Sequence, residues 1–151
     1  MIKIGEYYKS NDGLRFYVDS TLSGMKNKVN PSLRFYVVVF ANSKYIRVVS
    51  GKDIISGSVT PFYAYGGYMQ ASTIIEFREY YNMTKLKSVW LGMMNRCYSG
   101  KNKSYVGVTV CEEWHNFITF AKWYIENNID GWCLDKDLLS NSYKMYSPST
   151  C

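Results

Sequence analysis

In the first half of the chain, short apolar and aromatic runs separated by polar turn formers read as β-strands. Leu14 to Ser20, Leu33 to Ala41 and Lys44 to Ser50 are rich in Val, Ile, Phe and Tyr, and Gly, Asn, Asp, Ser or Pro bounds each run. Asn11-Asp12-Gly13 is a turn signal before the first run, and Ala41-Asn42-Ser43 is a connection short enough for a hairpin between the second and third. The pentapeptide Leu-Arg-Phe-Tyr-Val stands at Leu14–Val18 and again at Leu33–Val37. On strands, each copy would turn Arg and Tyr to one face and Leu, Phe and Val to the other, giving a small antiparallel sheet with an Arg/Tyr face. Two copies are too few to define a repeat architecture, so chance duplication stays open.

From Gly51 to Met69 the chain is rich in Gly, Ser and Tyr, with Pro61 and Gly66-Gly67 interrupting any regular element, which reads as a connection. Ile74 to Met83 fits a strand or a short helix. The period then changes. Leu86, Val89, Trp90, Met93, Met94 and Cys97 recur at helical spacing as one apolar stripe. Gly100 ends that helix in a polar loop, Ser99 to Ser104, and Tyr105 to Val110 alternates as a short strand. Glu112 to Asn128 reads as the strongest helix. Glu112 and Glu113 occupy its first turn, Trp114, Phe117, Ile118, Ala121 and Ile125 form its buried stripe, and Phe120, Trp123 and Tyr124 widen that stripe. Gly131 stops it, Leu134 to Leu138 is a short strand or turn, and Ser147-Pro148 is another turn. The pattern predicts an α+β protein: a small antiparallel β subdomain at 1–68, a linker at 69–84, and a helix–strand–helix module at 85–151.

Composition sharpens this only in part. Hydrophobic residues make up 47% and charged residues 20%, which suits a globular chain rather than a disordered one. Fifteen Tyr exceed what a core needs, and Tyr suits half-buried or binding surfaces because its ring is apolar and its tip polar. The net charge of +6 is compatible with a nucleic acid or another anionic partner. Residues 1–8 are too short and too mixed for the apolar core of a secretory signal, and no run of about 18 apolar residues predicts a membrane span. The expected compartment is therefore cytoplasmic, with no membrane partner, and Cys97, Cys111, Cys133 and Cys151 are expected as reduced thiols.

A more specific pattern runs from Lys85 to Cys151. Trp90, Met93 and Arg96-Cys97-Tyr98 are followed by Tyr105, Val110-Cys111, Trp114, Phe117, Phe120 and Trp123. Leu134-Asp135-Lys136-Asp137, Asn141 and Tyr146-Ser147-Pro148-x-Thr150-Cys151 complete the series. In order and spacing this resembles small phage-encoded HNH-type homing endonucleases. The resemblance implies an HNH-like module and, in an active member, Mg2+-dependent hydrolysis of a phosphodiester. There a histidine activates water, and a single cation is held against the scissile phosphate. In this chain the matching Leu134-Asp135-Lys136-Asp137 segment holds no histidine, and lysine is no imidazole base at neutral pH. The remaining catalytic candidates are Asp135 and Asp137, as hard oxygen ligands for Mg2+, and His115, the single histidine of the chain. A surface turn with a local ion pair explains Asp135-Lys136-Asp137 equally. Cys111 and His115, with Cys97, Cys133 or Cys151, match no zinc spacing, so no metal site is expected. No cofactor is expected unless the chain cleaves with Mg2+.

The basic residues carry the leading expectation. Lys85, Lys87, Arg96, Lys101 and Lys103 lie between Lys85 and Cys111 with no acidic residue among them. Such a segment neutralises phosphates and releases counterions, and nearby rings such as Tyr105 stack on bases or sugars. A solvated basic loop beside a core helix is the plain alternative. Lys26, Lys28, Arg15, Arg34 and Arg47 would form a second basic surface. The expected function is binding of nucleic acid, double-stranded DNA first, by a phage-type relative of HNH endonucleases without nuclease activity, in the host cytoplasm if the chain is phage-encoded. The alternatives are an inhibitor that docks its Tyr-rich surface on a host protein, and a Tyr/Arg-lined pocket for a nucleotide-like ligand.

Overall fold

A computed structural model describes residues 1–22, 33–101, 103–127 and 145–148 of the chain. The fold is α+β and divides into two compact units, residues 1–62 and 63–151.

The first unit is an antiparallel sheet of four strands in chain order: β1 (Tyr7–Lys9), β2 (Arg15–Thr21), β3 (Phe35–Phe40) and β4 (Ile46–Ser50). The β1–β2 turn is built as the sequence predicts. Gly13 sits at φ +84°, where glycine meets no penalty, and the Leu14 N–H donates to Ser10 Oγ at 3.0 Å. Phe16, Val18, Tyr36, Val38, Phe40 and Val49 form the core face. The helix α1 (Gly51–Ser56) and the segment after it close this face with Ile54 and Val59. α1 lies where the sequence reads as an irregular connection. Six residues are too few for a periodic stripe, yet the cap is explicit: Ser50 Oγ accepts from the Asp53 N–H at 3.1 Å, and Gly57 ends the turn at φ +78°.

The two Leu-Arg-Phe-Tyr-Val copies do not face the same way. In the first, Phe16 and Val18 are buried in the core, and Arg15 and Tyr17 lie on the other face. In the second, Tyr36 joins the core and Val37 is buried on the opposite side. A register shift between Val18 and Ser20 and the antiparallel pairing Thr21↔Tyr36 set this inversion. The Arg/Tyr face therefore belongs to the first copy alone. Arg47 is also turned from its expected role: its Nη1 donates to the carbonyls of Thr60 and Phe62 at 2.9 and 2.8 Å, tying down the chain after α1.

The second unit contains α2 (Ile74–Tyr81), α3 (Thr84–Tyr98), α4 (Phe117–Asn127) and a parallel strand pair, β5 (Thr109–Val110) with β6 (Met145–Tyr146). The strand-or-helix ambiguity at Ile74–Met83 resolves to helix. Thr73 caps α2 by accepting from the Glu76 N–H at 3.0 Å, while Glu76 accepts from the Ser72 N–H at 2.8 Å and pairs with Lys122 of α4. Of the six-residue stripe on α3, Leu86, Trp90, Met93 and Met94 are buried and Val89 and Cys97 are half-buried. Trp90 meets Phe117 at 5.4 Å between ring centroids and donates its indole N–H to the Trp114 carbonyl at 2.8 Å.

Two expectations are corrected. Tyr105 to Val110 is mostly a tight turn, with a helical turn at Lys103–Tyr105 and strand only at Thr109–Val110, which pairs with the two residues of β6 among the described residues. The long helix is broken: Glu112–His115 is one 3₁₀ turn, Asn116 is extended, and α4 starts at Phe117. Asn116 is claimed by the chain at Tyr68–Gln70. Its side-chain oxygen accepts from the Gln70 N–H, its amide donates to the Gln70 carbonyl, both at 3.0 Å, and the same oxygen accepts from the Ile118 N–H at 3.2 Å. Ile125, expected in the stripe, is 47% exposed near the C-terminal end of α4, while Phe117, Ile118 and Ala121 of the same stripe are buried.

Candidate nucleic-acid interface

The six residues read as nucleic-acid contacts are distributed over α3 and the loop that follows. An α-helix returns to nearly the same face every eleven residues, so Lys85 and Arg96 share one edge of α3, about 16 Å apart along its axis. Ser88, Gly92 and Asn95 lie along the edge between them, opposite the buried stripe. Lys85, Lys101 and Lys103 are exposed. Gly100, at φ +73°, turns the chain from the helix into the loop that carries the last two.

Lys87 and Arg96 are held more firmly. Lys87 Nζ lies 3.8 Å from the centroid of the Tyr81 ring, and burial pushes its pKa down because a desolvated ammonium is less favourable. The Arg96 guanidinium stands 5.9 Å from the Tyr105 ring and 5.8 Å from the Tyr146 ring. Those rings are nearly parallel at 7°, with centroids 6.5 Å apart. Gly92 leaves room for this arrangement: a Cβ there would meet Arg96 Nη1 at 3.4 Å. Burial first, and then the hydrogen bond with Tyr105, hold the Tyr146 phenol above its ordinary pKa, with Arg96 opposing them. Tyr105 is thus half-buried against Tyr146, and Arg96 presents a guanidinium oriented by two rings. Tyr146, one strand pairing away from β5, is the member of this group that the basic and aromatic spacing of 85–111 does not reveal; the Tyr-Ser-Pro motif does mark it.

His115 lies in a different local setting. Its Nε2 is 3.2 Å from the Val110 carbonyl and 3.4 Å from Tyr98 Oη, and Tyr98 Oη accepts from the Val110 N–H at 2.9 Å. With its proton on Nε2, the imidazole donates to that carbonyl and ties the 3₁₀ turn to β5. Asp135 and Asp137 lie outside the described residues, as do Cys133, Asn141 and Cys151. Among the described residues no three His, Cys, Asp or Glu side chains converge as metal ligands would, and no helix is long and apolar enough to cross a membrane.

Charge is partitioned unevenly along the chain. Residues 63–151 contain nine Lys/Arg and eight Asp/Glu, so the acid-free basic segment stands out against an almost neutral background. Residues 1–62 contain nine Lys/Arg against four Asp/Glu and hold most of the excess charge. No protein family, curated protein or solved structure matches the chain.

Proposed function

We propose that this chain binds double-stranded DNA through the edge of α3 and the loop after it, as a phage-type relative of HNH endonucleases that binds without cutting. One observation carries the reading. Lys85, Arg96, Lys101 and Lys103 follow a polar helix edge and its loop, and no carboxylate interrupts the sequence from Lys85 to Cys111. A helix edge of this kind, lined by Ser88 and Asn95 and flanked by cations, has the dimensions and chemistry of an element that sits against a duplex groove. Arg96 supplies an oriented, planar cation suited to a phosphate, while Lys101 and Lys103 supply mobile point charges. The order of residues from Trp90 to Tyr146 supports the family relation, and the lack of histidine at Leu134–Asp137 supports binding without hydrolysis.

A mobility-shift titration with duplex DNA at about 50 and 200 mM salt tests this reading. The wild-type protein should lose affinity steeply with salt. Lys101→Glu/Lys103→Glu should weaken binding at low salt and flatten the log–log salt slope by about 2, from roughly 0.9 per phosphate contact. A salt-insensitive complex, or an unchanged double variant, sinks the proposal. Incubation of supercoiled plasmid with Mg2+ should give no nicking; nicking that disappears in Asp135→Ala would restore the catalytic reading. A stoichiometric host protein that co-purifies while DNA is ignored would move the Tyr-rich surface to the inhibitor reading.

A further inference from the structure

Two of the nine basic residues of the first unit, Lys9 and Arg15, meet on one face of its β1–β2 ribbon. Antiparallel pairing sets Tyr7 opposite Tyr17 and Lys9 opposite Arg15. Residues two apart on a strand share a face, so these four side chains form a square: two rings at one end, two cations at the other, about 6.8 Å along the strand. The rings are 5.3 Å apart, the Arg15 guanidinium lies 4.5 Å from the Tyr7 centroid, and Tyr7 is 54% exposed. Lys9 and Arg15 are both exposed.

Two features of this square leave it open to a ligand. Tyr7 leaves half its surface to water while the hydrophobic core lies on the other side of the sheet, with Phe16 and Val18. Lys9 and Arg15 are like charges directly opposite each other, a pairing that weakens a sheet. No carboxylate pairs with either cation: among the described residues none of Glu6, Asp12, Asp19 and Asp53 makes an ion pair with Lys9 or Arg15. An anion placed between the two cations would remove the repulsion, and a flat ring laid on Tyr7 would cover the exposed aromatic surface. A nucleotide carries both groups at neighbouring positions. A duplex hides its base faces, so the partner is a strand whose bases are unpaired.

We infer that the outer face of β1–β2 is a stacking platform for single-stranded nucleic acid, with a base on Tyr7 against Tyr17 and the adjoining phosphate between Lys9 and Arg15. This surface is separate in sequence and chemistry from the α3 edge proposed for duplex DNA, and it stands whether or not that proposal does.

The test uses the full chain, a fluorescent homothymidine oligonucleotide and a blunt duplex, with binding read by anisotropy. The oligonucleotide should bind in a salt-dependent manner. Tyr7→Leu should weaken it about tenfold, Tyr7→Phe should retain it, and neither should alter duplex binding. Lys9→Gln should flatten the single-strand salt slope by about 0.7. The same variant should raise the melting temperature of the free protein at low salt, because it removes the like-charge pair. This rise separates a surface kept for an anion from one kept for the fold. The inference is overturned if the wild-type protein ignores the oligonucleotide at low salt, which would leave the ring pair to a protein partner. Tyr7→Leu binding as wild type, or lowering single-strand and duplex affinity by one common factor, also overturns it. Failure of the duplex proposal is read on a different substrate and through Lys101 and Lys103, so the two outcomes are distinguishable.

Discussion

Tyr146 shows how one residue links the fold to the basic surface. Its ring is buried beneath the Arg96 guanidinium and parallel to Tyr105, and its backbone carbonyl accepts from the Cys111 N–H at 2.8 Å. The folded protein favours the neutral phenol, chiefly through burial. A folded-state pKa above the unfolded value means that the stabilisation is complete below the ordinary tyrosine value of about 10 and is lost as pH rises past it, because the unfolded chain then ionises first. The melting temperature of the wild-type protein should therefore fall above about pH 10, and Tyr146→Phe should show a shallower decline over the same range. Thermal melts across that window, followed by circular dichroism, check this; parallel declines would show that Tyr146 is not the group responsible. The Nε2 of the single histidine, His115, contacts Val110 and Tyr98, a structural link between the 3₁₀ turn and β5.

At the scale of elements, α3 is fixed by how closely the preceding chain approaches it. A Cβ at Gly67 would lie 2.6 Å from Trp90 Cη2 and 2.7 Å from Cζ2. Trp90 is fully buried between Tyr63 and Phe117 and bonded to the Trp114 carbonyl, so it has no room to yield. Gly67→Ala should cost about 1–3 kcal/mol by overpacking, measured as a shift of the urea midpoint with the slope unchanged; a neutral substitution would mean that the indole is less firmly packed than this. Gly66-Gly67 reads in the sequence as a breaker, and the structure shows that the second glycine is required by the tryptophan two dozen residues away. The same distinction explains what was legible. The α3 stripe was readable from its helical period, and the strands β2 to β4, with the α+β class, from runs of five or more residues rich in β-branched and aromatic side chains. β1 was not, since three residues hold no period and become a strand only when β2 offers hydrogen bonds. The break at Asn116 was hidden because Gln70, far away in sequence, decides it. Of the site, the cations on α3 were evident in the sequence. The pairing of Lys9 with Arg15 and the seat of Arg96 beside Tyr146 depend on register and on long-range pairing, which composition does not carry.

At the scale of the whole molecule, the sequence places two chemically different basic surfaces on one chain. The acid-free segment of α3 and its loop lies in a unit whose basic and acidic residues nearly balance, nine against eight, so the positive charge it presents is local. The β1–β2 platform lies in a unit with nine basic and four acidic residues, so a broad field adds to its local contacts. Two sites joined by one chain raise each other's effective concentration when a single ligand engages both, and they act independently when it does not. A duplex carrying an unpaired tail offers both chemistries at once. It should bind more tightly than the blunt duplex, and Tyr7→Leu should abolish that gain while leaving blunt-duplex affinity unchanged. Lys101→Glu/Lys103→Glu should weaken both ligands, and combining it with Tyr7→Leu should leave the tailed duplex no better than the blunt one. Anisotropy titrations of the four proteins against the two ligands give the coupling energy directly. A tail that adds nothing to wild-type affinity would show that the two surfaces do not share one nucleic acid, because a ligand held at both sites must gain from the second contact.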